Sequence, residues 1–113
     1  MLDNKKAIVA ALRTVQDNVK YELSVESPTL PLITYKIIND SVNVYGDTLG
    51  YSDLIIQVKV WTTKVSELDS LPTSIDETLR PLGLTRTYYT ELSEGSVLIG
   101  VMQYSGLVKE DFS

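Results

Sequence analysis

Near the N-terminus, the spacing of apolar residues changes once, from a helical period to a strand period. Ile8, Ala11, Leu12 and Val15 lie at positions i, i+3, i+4 and i+7, and this spacing places them on one face of a helix. The spacing predicts a helix over residues 3–17. From Val19 onward apolar and polar residues alternate up to residue 25, and that period of two predicts a half-buried strand.

The middle of the chain is rich in residues that favour strands. Two prolines make residues 27–31 a loop. Residues 32–38 are predicted to form a strand, with residues 42–45 as its short continuation. Residues 46–50 carry two glycines and are predicted to form a turn or an exposed loop. Residues 51–62 alternate most regularly and give the strongest strand prediction of the chain.

A second helix is predicted over residues 64–81, where leucine and isoleucine recur at steps of three and four. Pro72 lies inside this segment, so we expect the helix to kink there or to restart. Pro81 and Gly83 predict its end.

Two further strands, over residues 84–92 and 96–104, are predicted to form a hairpin around Ser93-Glu94-Gly95. Gly100 in the second of them predicts a bulge or a bend. After Gly106 no pattern continues, so we expect residues 107–113 to be a flexible tail.

The predicted order of elements is α-β-β-β-α-β-β. It indicates an α+β domain over residues 1–106, with one mixed or antiparallel sheet of about four to five strands and two helices packed on it. The chain has 113 residues, the length of one domain.

The composition excludes several classes of function. The chain has no cysteine and no histidine, which excludes disulfides, a thiol nucleophile and a Ser-His-Asp triad. A net charge of −5 argues against sequence-specific DNA binding, which usually needs a basic surface. No apolar run reaches the ~20 residues that cross a bilayer, so we expect a soluble protein made in the cytoplasm that needs no membrane and no cofactor.

Three aspartates, Asp40, Asp47 and Asp53, lie among asparagine, glycine and serine residues. They could serve as oxygen ligands of a metal ion or as catalytic carboxylates. Their spacing does not match a calcium-binding loop, and turn carboxylates are common because they accept hydrogen bonds from nearby backbone amides. We therefore predict no catalytic residues and no metal site.

Tyrosine is the prominent aromatic residue, with seven copies against one tryptophan and one phenylalanine. Tyrosine suits protein interfaces, although it is also an ordinary strand residue. Two tyrosines flank the glycine-bearing loop, and the predicted partner interface comprises Tyr45, Gly46, Asp47, Thr48, Leu49, Gly50 and Tyr51.

The layout resembles the tail terminator, or tail-completion, proteins of long-tailed bacteriophages. The resemblance covers nearly the whole chain: the N-terminal helix, the proline loop into Pro31-Leu32-Ile33-Thr34-Tyr35, the strand from Tyr51 to Trp61, a helix, and the hairpin that includes Arg86-Thr87-Tyr88-Tyr89-Thr90-Glu91. It consists of loose apolar and aromatic patterns and contains no invariant motif.

The resemblance implies a structural virion protein of a siphovirus tail and no enzyme. Such a protein caps the tail tube as a ring, usually a hexamer, and joins the tail to the head connector while DNA passes through without specific binding. Its expected partners are other copies of itself, the tail tube protein and the head connector or stopper protein. A head-side connector or stopper subunit is the alternative. A small-ligand binder or carboxylate-dependent hydrolase using Asp40, Asp47 and Asp53 is a third possibility.

Overall fold

The structure is a computed structural model that describes residues 4–21, 29–45 and 49–111, with the side chains of residues 6–21, 29–38 and 54–106. The described elements are α1 (Asn4–Val15), β1 (Val19–Tyr21), β2 (Leu32–Tyr45), β3 (Leu49–Thr62), α2 (Val65–Leu79), a 3-10 turn (Arg80–Leu82), β4 (Thr85–Glu94) and β5 (Val97–Asp111).

The strands form a single five-stranded sheet in the order β1-β2-β3-β5-β4. β1 runs parallel to β2, and the other neighbouring pairs are antiparallel. The predicted α+β class and the predicted order of elements are therefore confirmed.

Both helices pack on the same face of the sheet, and the core lies between the two layers. On β3 every second side chain is buried, namely Leu54, Ile56, Val58 and Val60, because alternate side chains of a strand point to the same face. The helices add the buried side chains of Ile8, Leu12, Ile75 and Leu79 to this cluster. Burying a side chain of this size contributes about 1.5–3 kcal/mol relative to leaving it exposed.

α2 is one uninterrupted helix that includes Pro72, and the proline side chain is buried. Of the two outcomes predicted at Pro72, the restart is therefore wrong, and the kink stays a prediction. The chain leaves the helix layer at Gly83, whose φ of 89° lies in the left-handed region that favours glycine. The Gly83 N–H donates to the Arg80 carbonyl at 2.9 Å, so the predicted end of the helical region is confirmed.

The β4–β5 hairpin turns at Gly95, where φ is 62°, close to the predicted position. Gly100 carries no bulge, so that half of the prediction is wrong, and the alternative of a bend stays a prediction. The register shift in this pair lies on β4, between Arg86 and Tyr88. Gly100 instead admits a close neighbour, since a Cβ atom there would lie 3.2 Å from Cδ1 of Leu68 on α2.

The three central strands are about twice as long as the helices. β2 and β3 have 14 residues each, and α2 has 15. At about 3.3 Å per strand residue and 1.5 Å per helix residue, these lengths are about 46 Å and 22 Å. The helices therefore cover about half the length of the sheet.

The half of the sheet beyond the helices is formed by residues 39–45, 49–53 and 107–111, called here the arm. It begins where the register of β2 against β3 shifts, between Ile37 and Asn39. The arm corrects the prediction of a tail, because β5 continues to Asp111, which pairs with Leu49. The molecule is accordingly elongated, with extents of 52 × 25 × 21 Å.

Candidate interaction surfaces

Four residues of the predicted interface segment, Tyr45, Leu49, Gly50 and Tyr51, lie at the far end of the arm. Tyr45 pairs with Leu49, and Tyr51 pairs with Asn43, so these residues close the β2–β3 hairpin. Leu49 and Gly50 belong to β3, which corrects their prediction as part of a loop. Gly46, Asp47 and Thr48 lie outside the described residues. The role of the segment as a partner interface stays a prediction.

The three candidate carboxylates do not form a described site. Asp40 pairs with Leu54, and Asp53 pairs with Ser41 and with Leu107, so both lie in paired strands and not in turns. Asp47 lies outside the described residues. Among the residues whose placement is described, no group of three acidic side chains could hold a metal ion.

The face of the sheet opposite the helices carries an apolar cluster. The indole N–H of Trp61 donates to the Thr34 hydroxyl at 2.9 Å, which fixes the ring on this face. Trp61 pairs with Ile99, and Ile99 and Val101 are buried. These side chains are buried without a helix above them because β3 and β5 are internal strands, whose side chains are flanked by those of the neighbouring strands on both sides.

The apolar cluster opens to solvent along β4. Tyr88 and Leu92 lie two positions either side of Thr90 and share the helix-free face, where Leu92 pairs with Ile99. They are 55% and 54% exposed, which is high for side chains of this size. β4 is also the last strand in the sheet order, and an edge strand presents unpaired backbone groups to another chain. The sequence signal for this surface is the spacing of Tyr88 and Leu92 within one strand.

A polar network ties α2 to β4 and β5 on the helix side. The Tyr104 hydroxyl donates to Oδ1 of Asp76, and Nη2 of Arg86 lies 3.5 Å from Oδ2 of Asp76. The Arg86 guanidinium lies over the Tyr89 ring, 5.3 Å from its centroid, and the Tyr89 hydroxyl donates to Glu91 at 2.6 Å.

The two phenols of this network stay protonated at neutral pH. Burial, followed by the hydrogen bond to Glu91, raises the pKa of Tyr89 to about 12. Burial, followed by the hydrogen bond to Asp76, raises the pKa of Tyr104 well above its usual range. Groups with such pKa values do not serve as general bases near pH 7, so neither phenol is a candidate general base.

Surface hollows lined by described residues lie beside the helices. One, of about 220 Å³, is lined by Asp76, Arg80, Leu84, Thr85 and Arg86. Another, of about 290 Å³, lies between α1 and β2 and is lined by Lys6, Val9, Ala10, Arg13 and Tyr35. The first is smaller than the roughly 300–1,000 Å³ of typical small-molecule sites, and the second is close to the lower end of that range.

Charge is divided between the two sides of the helix layer. Residues 4–21, which form α1 and β1, contain four basic residues and one acidic residue. Residues 65–94, which form α2 and β4, contain six acidic and two basic residues. α1 packs against β1 and α2, whereas α2 packs against β3, β5 and β4. The basic side therefore borders the β1 edge of the sheet and the acidic side borders the β4 edge.

Comparison with known proteins finds similarity among solved structures. No protein-family model and no curated protein matches the sequence. Among solved structures, a chain in the virion of a native gene transfer agent particle is similar, with 13% sequence identity and a TM-score of 0.49. The match covers 92% of this chain and 86% of that chain. A superposition at this level does not establish a shared fold. At this identity, the role of a residue in one chain is not assigned to a residue of the other.

None of the described helices combines the length and the apolar character that a membrane crossing requires.

Proposed function

We propose that this protein is a structural component of a phage virion, a tail-completion subunit that caps the tail tube and joins it to the head connector. The observation that carries the proposal is the arm together with the open β4 edge. Both are surfaces on which another protein chain can extend or cover the sheet. The proposal also draws on the sequence resemblance to tail terminator proteins.

Binding accounts for the surface of the molecule better than catalysis does. The chain has neither histidine nor cysteine, and the phenols of Tyr89 and Tyr104 have pKa values too high for base catalysis. The two hollows described above lie at or below the lower end of the size range of usual substrate sites. A protein that works through contacts needs none of these features.

In the proposed assembly the protein forms a ring, a hexamer by the family resemblance, in the tail of a virion made in the host cytoplasm. The segment at the end of the arm, from Tyr45 to Tyr51, contacts a partner, either the tail tube protein or the head connector. The net charge of −5 disfavours binding to DNA that passes through the ring, because like charges repel.

The proposal is tested with purified protein and isolated tail tubes of the corresponding phage. Electron microscopy should show a ring at one end of each tube, and co-sedimentation should recover the protein with tubes. A variant with Tyr45→Ser and Tyr51→Ser should bind tubes at least about tenfold more weakly, since truncating interface hot spots costs 2 kcal/mol or more.

The matched control is Ile38→Ser with Val65→Ser, which removes two exposed apolar side chains outside the arm and away from the β4 edge. Wild-type protein that forms no rings and binds no tubes would refute the proposal. Retention by portal-side proteins and not by tubes would place the subunit on the head side of the joint. Equal binding by the arm variant and the wild type would refute the assignment of the segment alone.

A further inference from the structure

The two lateral edges of the molecule carry opposite charge, and each consists of one helix and the edge strand on its side of the sheet. The basic flank is defined by Lys6, Arg13 and Lys20 on α1 and β1, and all three are exposed. The acidic flank is defined by Asp69, Glu77, Glu91 and Glu94 on α2 and β4, which are likewise exposed. Because β1 and β4 are the two ends of the sheet order, the flanks face away from each other.

We propose that the acidic flank of one copy of this chain binds the basic flank of the next copy, in a head-to-tail contact. A contact between two different surfaces of the same chain is heterologous, and it generates a ring when the rotation between copies closes. The contact deepens the proposed function and rests on it, because it names the surfaces through which the ring would form.

Each flank also offers apolar area, which a charged contact needs for affinity. On the basic flank, Val9, Ala10 and Tyr35 line a hollow of about 290 Å³ with Lys6 and Arg13. The edge strand of the acidic flank exposes Tyr88 and Leu92. Complementary charge sets the orientation and the rate of association, and burial of apolar area stabilises the complex.

The charge pattern favours this contact over a symmetric one. A two-fold contact between two acidic flanks would bring Asp69, Glu91 and Glu94 of both copies together. A two-fold contact between two basic flanks would bring Lys6, Arg13 and Lys20 together. Like charges placed opposite each other across an interface suppress such pairings, whereas the head-to-tail pairing places opposite charges together at every contact.

The test is a pair of charge reversals, one on each flank. Variant A carries Arg13→Glu and Lys20→Glu, so that both of its flanks are acidic. Variant B carries Asp69→Lys and Glu94→Lys, so that both of its flanks are more basic. Each variant alone should self-associate at least about tenfold more weakly than wild type, measured by sedimentation velocity at low salt, where surface charge is least screened.

Mixing variants A and B should restore association, because the acidic flanks of A then meet the basic flanks of B. The control carries Lys59→Glu and Lys64→Glu, which changes net charge as variant A does but on the central strand β3 and just before α2, outside both flanks. It should associate within about threefold of wild type, as expected of charges outside the contact. Thermal unfolding checks that each variant is folded.

A cross-linking experiment detects association that is too weak to measure by sedimentation. The chain has no cysteine, so Ala10→Cys and Ser93→Cys place one thiol on each flank. With a short bis-maleimide, the double variant should give a ladder of oligomers, whereas each single variant should give at most a dimer. A double variant that stays monomeric, or a single-cysteine dimer as abundant as the ladder, would overturn the head-to-tail contact.

Failure of the contact and failure of the proposed function are separable. If wild type and variant A form rings on tubes equally well, the flank contact is wrong and the tail function stands. If variants A and B associate only when they are mixed, and the wild type does not bind tail tubes, the flank contact is supported and the proposed tail function is wrong.

Discussion

Replacing Tyr104 by phenylalanine removes one hydroxyl from the link between α2 and β5. The Tyr104 side chain is fully buried, and its hydroxyl donates to Oδ1 of Asp76. Arg86 contacts the other oxygen of Asp76 at 3.5 Å, so the carboxylate would keep only that partner from the network. The phenylalanine ring fills the same space, so the substitution removes a hydrogen bond without opening a cavity.

The expected cost follows from the charge of the acceptor. Hydrogen bonds to charged groups contribute about 1.5–3 kcal/mol, and we expect Tyr104→Phe to lower the free energy of unfolding by about 2 kcal/mol at pH 7. For a chain of this length, an unfolding entropy of about 2.1 cal/mol/K per residue converts this into a fall in Tm of about 8 °C.

The raised pKa of Tyr104 makes this cost depend on pH. The folded-state pKa lies above the unfolded value because of burial and the hydrogen bond to Asp76. The stabilisation is therefore complete below about pH 10 and is lost as pH rises from there toward the folded-state pKa. At pH 11 the wild type should have lost about 1.4 kcal/mol through this group, whereas the phenylalanine variant loses nothing through it. The difference between them should shrink to about 0.6 kcal/mol.

Urea unfolding followed by circular dichroism at pH 7 and pH 11 measures both values. Tyr88→Phe is the matched control, because Tyr88 is exposed and its change should stay within about 0.5 kcal/mol. A double-mutant cycle with Asp76→Asn should give a coupling of about 1 kcal/mol or more between the two side chains. A Tyr104→Phe cost below about 0.5 kcal/mol at pH 7, or one that does not shrink at pH 11, would refute the reasoning.

Four further substitutions test the packing and the electrostatics. Gly106→Ala should destabilise the protein by about 2 kcal/mol or more in thermal unfolding, since a Cβ atom there would overlap the Gly83 carbonyl and force the backbone to move. Gly95→Ala meets no atom within 4 Å and should cost only about 1–2 kcal/mol, for a left-handed φ; equal costs at both glycines would count against the overlap. Ile75→Ala, at a fully buried position, should cost about 2–5 kcal/mol in urea unfolding. In a spectrophotometric titration, Tyr89→Phe should remove one phenol that ionises near pH 12; loss of a phenol near pH 10 would contradict its environment.

Local sequence patterns predict those helices and strands whose formation depends mainly on residues that are close together in sequence. The repeat from Ile8 to Val15 predicts α1, and the alternation from Leu54 to Val60 predicts the centre of β3. Both patterns hold because the buried face repeats with the period of the element itself. The β4–β5 hairpin is predicted for the same reason, since its turn lies between two strands that are adjacent in sequence.

The arm could not be predicted from local patterns. Asn39, Asp40 and Ser41 have low strand propensity, yet they continue β2 because β3 supplies paired backbone groups beside them. Leu107 to Asp111 continue β5 for the same reason. Strand formation depends on the neighbouring strand more than on the residue itself, and the neighbours of these residues are distant in sequence.

Gly100 shows that a glycine in a strand can have a different structural role from the one that the sequence predicts. Its position in a strand predicts a bulge, but the structure places Leu68 of α2 against it. Because Gly100 has no side chain, Leu68 can pack close to the strand, and only the packing of α2 on the sheet brings Leu68 to this position.

The sequence by itself determined the two helices, the strand-rich centre, the lack of histidine and cysteine, and the basic character of residues 4–21. It also placed Tyr45 and Tyr51 around a glycine-bearing segment, whose contact role stays a prediction. Only the tertiary structure decided that this segment ends a three-stranded arm and that the basic and acidic helices border opposite edges of one sheet. The physical reason is that the order of strands in a sheet is set by pairing between distant segments, and that order decides where each charge lies on the surface.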